Sequence, residues 1–212
     1  ASGHGTHVAG IAAAVANNTS GIAGVAFGAT IIPVRVLGPA GGTWTDVAAG
    51  INYADASGAD VINLSLGGLG SGGVVEAAVN AAHLNGVVVI CAAGNDNAET
   101  YLYLPTGVER SLSVSAFTQT DVRASFSSFG VKLDVAAPGG DAGVLNWNTD
   151  IFSTVAPGSA LAIGGPTFIG SDGAPYHTNA GTSMAAPHVA GLAALLIQLH
   201  PAWTNEEIRQ AI

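Results

Sequence analysis

Residues 86–93 read GVVVICAA, an apolar run with no polar residue at alternate positions. A strand with one face in water alternates, so this one must be covered on both faces. Residues 30–37 (TIIPVRVL), 59–66 (ADVINLSL) and 110–117 (RSLSVSAF) are similarly short and rich in β-branched residues, and they too read as strands. Helical patterns lie between them. Val47, Ala48, Ile51 and Ala54 recur at helical spacing behind Thr43 and Asp46, which are placed as an N-terminal cap, and residues 72–86 end on a glycine. Buried strands alternating with helices predict an α/β fold: three layers, α/β/α, around a mostly parallel sheet. No repeat or linker divides residues 1–212, which are read as one domain. Residues 140–176 are glycine-rich and irregular, and are expected as long surface loops.

Composition narrows the function classes. Only 9% of residues are charged, and 14 acidic residues oppose 5 basic ones for a net charge of −9. Such a surface repels a phosphate backbone, so no nucleic-acid partner is expected. The apolar runs at 87–93 and 189–197 are shorter than the ~18 residues of a membrane span, so no membrane partner is expected. The single cysteine, Cys91, excludes an internal disulfide; inside an apolar run it reads as a buried, inert thiol.

Four stretches hold residues with chemistry to offer. HGTHVAGIAAAVA (4–16) is a helix of small residues with His4 at its N-terminal edge, while His7, one turn further in, reads as structural. In NAGTSMAAPHVAGLAALLIQLHP (179–201), Ser183 precedes a long apolar helix whose positive end would favour a developing negative charge, and Gly181 permits close backbone approach. Pro187 is expected near the first helical turn. CAAGNDN (91–97) ends a strand with Asn95, whose amide can donate to an oxyanion. GLGSGG (68–73) satisfies the G-x-G-x-x-G spacing of a dinucleotide-binding α/β domain, although the acidic residue such a site needs, Asp96 at best, comes too late.

In this order, HGTHVAG (4–10), NLSLGG (63–68), AAGN (92–95), RASFSSFG (123–130), DVAAPG (134–139) and GTSMAAPHVAGLAALL (181–196) resemble the subtilisin-like serine proteases over nearly the whole chain. The resemblance implies a serine endopeptidase with Ser183 as nucleophile, His4 as general base, and Asn95 with the Ser183 N–H as oxyanion donors. It implies that Ser65, Leu66 and Gly67, facing Ala92, Ala93 and Gly94, line an extended cleft for polypeptide substrates. It also implies an extracellular address and no cofactor for the chemistry. A structural calcium is left open, because ANNTSGIAGVA (16–26) is similar to the family's calcium loop; no metal ligand is assigned. A propeptide in the full-length protein is likewise left open.

The family's third catalytic residue is an aspartate upstream of the histidine helix, yet all nine aspartates here follow His4. The expectation is therefore a domain truncated at both ends and lacking its N-terminal strands, inactive alone and active in its parent. The rival readings are a non-catalytic, polypeptide-binding subtilase-like fragment and, more remotely, the dinucleotide-binding domain.

Overall fold

The computed structural model describes residues 2–70, 73–141, 148–163 and 167–212. In chain order the elements are α1 (His4–Ala13), α2 (Trp44–Ala56), β1 (Val61–Leu64), β2 (Gly68–Leu69), α3 (Gly73–Leu84), β3 (Val88–Ala92), β4 (Tyr103–Leu104), β5 (Ser111–Phe117), β6 (Val135–Pro138), β7 (Ile151–Thr154), α4 (Ala160–Ile163), β8 (Phe168–Ile169), β9 (Pro175–Asn179), α5 (Thr182–Leu199) and α6 (Asn205–Ala211). The frame is a parallel sheet in the order β1-β3-β5-β6.

All five residues of β3 are buried, as its unbroken apolar run demands. Val89 and Cys91 face a core built with Val47 and Ile51 of α2 and Val75 and Val79 of α3. Val88, Ile90 and Ala92 face the opposite core, with Ala185, Ala186, Val189 and Ala193 of α5 and Ile208 of α6. Full burial of each such valine or isoleucine is worth about 1.5–3 kcal/mol, so β3 is the strand both helical layers hold. This is the three-layer α/β/α arrangement expected of the sequence. The caps form where the sequence puts them: Thr43 Oγ1 accepts from the Asp46 N–H at 3.1 Å while Asp46 Oδ2 accepts from the Thr43 N–H at 2.9 Å, and Thr204 and Glu207 repeat the pattern before α6.

Two expectations fail. Residues 34–37 alternate as a strand should, with Val34 and Val36 packed against the α2 side of the core and Leu37 exposed, while Ile31 and Ile32 are both exposed. No ladder forms, because among the described residues no neighbouring strand receives their backbone hydrogen bonds. This segment and β1, the edge of the sheet, both border one cavity of about 1870 Å³. Residues 140–176 are not all loop: β7, β9 and β8 make an antiparallel sheet in that order, and Phe152, Phe168 and Tyr176 cluster with ring centroids 5.7–6.4 Å apart. Residues 142–147 and 164–166 of that stretch lie outside the described residues. In GLGSGG, Ser71 and Gly72 also lie outside them, and Gly68–Leu69 pairs antiparallel with β4, so the run does not pass straight from a parallel strand into a phosphate-binding turn.

At 18 residues and a mean hydropathy of 1.4, α5 is long and apolar enough to cross a membrane, but half of it is buried, packed on α1 and across β1, β3, β5 and β6. It packs tightly at Gly191, where a Cβ would stand 2.5 Å from Val25 Cβ and 3.2 Å from the Ala12 carbonyl. Gly191→Val is expected to cost about 1–3 kcal/mol by overpacking, lowering the thermal midpoint by several degrees; an unchanged midpoint in calorimetry would contradict this packing.

Candidate active site

A helix leaves the N–H groups of its first turn without intrahelical acceptors. At α5 the Thr182 N–H is met from beyond the end of β3, while the Met184 N–H turns back to the Gly181 carbonyl at 2.9 Å. Asn95 Oδ1 accepts from both the Thr182 N–H and the Thr182 hydroxyl, each at 2.9 Å, and Thr182 Oγ1 in turn accepts from the Gly94 N–H at 3.1 Å. With its oxygen so engaged, the Asn95 amide turns its Nδ2 donor toward Gly181 and Ser183. A Cβ on Gly181 would lie 3.4 Å from that nitrogen and 3.7 Å from the Ser183 N. Gly181 also has φ +150, a conformation that favours glycine. Asn95 and Ser183 border the same cavity, on either side of Gly181.

Ser183 is also tied to the residues following β1. Its Oγ donates to the Ser65 carbonyl at 3.3 Å, and Ser65 Oγ donates to the Ser183 carbonyl at 2.7 Å. Asn63 Nδ2 donates to Ser65 Oγ at 2.9 Å. His4 opens α1 and borders the same cavity as Asn95 and Ser183. Burial lowers its pKa, which keeps the imidazole neutral and able to accept a proton near pH 7. Among the described residues no carboxylate lies within ion-pair distance of its ring.

The residues expected to line the cleft divide. Ser65, Leu66, Gly67, Ala92 and Gly94 border the cavity with the three catalytic candidates, as does Asp96, whose carboxylate stands by the Tyr103 phenol. Ala93 does not: it is fully buried and its N–H donates to the Val114 carbonyl at 2.9 Å. Sequence reasoning missed Asn63 and Thr182. Asn63 had a signal, a polar residue inside the otherwise apolar VINL; Thr182 had none beyond its place before Ser183.

His7 fixes α1 in place. A carbonyl only accepts, so its Nε2 carries the proton donated to the His177 carbonyl at 3.1 Å, while the His7 carbonyl accepts from Ser153 Oγ at 2.7 Å. These bonds pin α1, and His4 with it, to β7 and β9. The loop at 16–24 offers only amide, hydroxyl and carbonyl oxygens; Asn18 Oδ1 already accepts from the Ser20 N–H at 3.1 Å and the Asn18 carbonyl from Thr19 Oγ1 at 2.7 Å. Among the described residues no three His, Cys, Asp or Glu side chains converge. Amide and carbonyl oxygens are of the kind calcium accepts, and the Asp172 carboxylate stands beside Ser20 of the same loop.

The chain matches the model of the subtilase family over residues 1–212. It is 46% identical over 211 residues to thermitase of Thermoactinomyces vulgaris, a match covering 99% of this chain and 66% of that protein. It is 43% identical over 209 residues to an extracellular protease of Xanthomonas campestris pv. campestris, covering 93% of this chain and 33% of that protein. A solved protease structure from Pseudoalteromonas arctica PAMC 21717 superposes with a TM-score of 0.87 at 44% identity, covering 98% of this chain and 62% of that one. The chain thus spans between a third and two-thirds of the length of these relatives.

Burial drives the His7 pKa down to about 4. The unfolded chain binds this proton near 6.5, so stability is level above pH 6.5 and falls as the pH drops from there toward 4; His4 and His188, also lowered by burial, steepen the loss. His7→Gln is expected to flatten the slope of thermal midpoint against pH. A wild-type midpoint constant from pH 7 to 5 would contradict the burial of a neutral His7.

Proposed function

This chain belongs to the subtilase family, and from that premise we propose that it forms the core of a serine endopeptidase acting on extended polypeptides. The observation that carries the proposal is the Asn95 amide held by Thr182 with its N–H aimed beside Ser183. Ser183 Oγ leaves the Ser65 carbonyl and attacks the substrate carbonyl, His4 takes its proton, and the oxyanion forms between Asn95 Nδ2 and the Ser183 N–H. His4 then returns the proton to the leaving amine, and water repeats the sequence to release the acyl group.

The base needs a partner to fix its tautomer, and the family supplies an aspartate. We assign it to an extended segment from outside these 212 residues, seated between residues 30–37 and β1. In support, among the described residues, 30–37 pair with no strand and β1 pairs on one side only, with β3, and the cavity they border reaches His4. Loss of that carboxylate costs about 10⁴ in turnover in a serine protease, so residues 1–212 alone are expected to be nearly inactive. The extracellular address in the name of the Xanthomonas relative is the one we assign here.

In the full-length parent protein, a fluorophosphonate probe is expected to label Ser183 and no other residue, and Ser183→Ala to abolish both labelling and peptide hydrolysis. Asn95→Ala should lower kcat by about 10²–10³, the range measured for this donor in a subtilisin, with little change in KM. Polypeptide binding without labelling would instead favour the non-catalytic reading.

A further inference from the structure

Pro187 is the sixth residue of α5, beyond the first turn where a proline costs nothing. In a regular helix its N–H would donate to the carbonyl four residues back, which is that of Ser183. Proline has no N–H, and its ring crowds the same carbonyl. The nucleophile's own peptide oxygen thus lacks the donor it would have four residues on in a regular helix, apart from the carbonyls that any helix leaves open at its C-terminal end.

Ser65 satisfies it. Its hydroxyl donates to the Ser183 carbonyl at 2.7 Å, the shortest link between the edge of the sheet and the helix that carries the nucleophile. The hydroxyl is itself aimed by Asn63 Nδ2 at 2.9 Å. The reciprocal bond, Ser183 Oγ to the Ser65 carbonyl at 3.3 Å, holds the nucleophile against the same residue. Asn63 and Ser65 lie on one short stretch that ends β1, so the position of Ser183 is referred to the sheet and not only to its helix.

Resting on the endopeptidase reading above, we propose that Ser65 is a positioning residue for Ser183, its hydroxyl standing in for the N–H that Pro187 lacks. Removing the hydroxyl frees the Ser183 peptide to tilt, which displaces Oγ and the Ser183 N–H together. Substrate contacts along the cleft are untouched by such a tilt. The effect therefore falls on kcat.

The proposal has a test that a merely structural serine would fail. In the full-length protein, Ser65→Ala should lower kcat on a chromogenic peptide by about 10-fold or more, the scale set by small misplacements of a reacting group, with KM within about 2-fold of wild type. Pro187→Ala restores a backbone N–H four residues after Ser183, so in that background Ser65→Ala should cost no more than about 3-fold; the two substitutions are coupled, not additive. An equal loss in both backgrounds, or an unchanged kcat in Ser65→Ala, overturns the proposal. If Ser65→Ala alone does not accumulate as folded protein, recovery of folded, active protein on adding Pro187→Ala supports it and failure to recover overturns it. Wild-type protein that neither hydrolyses the peptide nor labels with fluorophosphonate removes the endopeptidase reading, and this role with it; a labelled wild type with no Ser65 effect removes this role alone.

Discussion

The unpaired backbone groups at the start of α5 are the constraint around which the rest is arranged. Four N–H groups there have no helical acceptor, and Pro187 adds an unpaired carbonyl at Ser183. The Met184 N–H turns back to the Gly181 carbonyl at 2.9 Å, and residues beyond the strands meet the Thr182 N–H and the Ser183 carbonyl. Asn95, just beyond β3, takes the Thr182 N–H; Ser65, just beyond β1, takes the carbonyl; the Ser183 N–H is left for whatever enters the space beside it. An apolar helix end with nothing to answer these groups would be costly to bury. The same bonds that make α5 tolerable in the core also tie Asn95 to Thr182 and Ser65 to Ser183.

That arrangement depends on β3 being immobile. Its residues are locked between two cores, with Val89 and Cys91 on one face and Val88, Ile90 and Ala92 on the other. Asn95 follows within three residues of the last of these, so its amide inherits a rigid base. His4 is placed by a separate route, through α1 and the burial of His7 against β9 and β7. The proposed nucleophile and base therefore sit on helices anchored to different sheets, and close packing of α1 and the segment after it on α5 at Gly191 relates the two.

Much of this was legible in the sequence, for identifiable reasons. The unbroken apolar run at 86–93 has no stable alternative to a doubly covered strand, and the Thr43–Asp46 and Thr204–Glu207 caps are local devices that need no tertiary context. The segment at 30–37 carries the same local signal and still forms no strand, because a strand is a pairing and its partner is not within the described residues. Residues 140–176 gave the opposite error: the strands within them are short, and what holds them is an aromatic cluster of Phe152, Phe168 and Tyr176 drawn from distant positions. The motifs that carry His4, Asn95 and Ser183 could be read directly. The roles of Thr182, Asn63 and the Ser65 hydroxyl could not, since each is defined by a bond to a residue about 90 to 120 positions away or by a bond to such a residue.

The central claim is that the start of α5, Asn95 and Ser65 together make an oxyanion site at Ser183. A crystal structure of the full-length protein carrying a fluorophosphonate adduct tests it most directly. The account predicts the phosphorus on Ser183 Oγ, its oxygen within hydrogen-bond distance of both Asn95 Nδ2 and the Ser183 N–H, and Ser65 Oγ still on the Ser183 carbonyl. An adduct whose oxygen points into solvent, or a Ser183 that forms none, would contradict it.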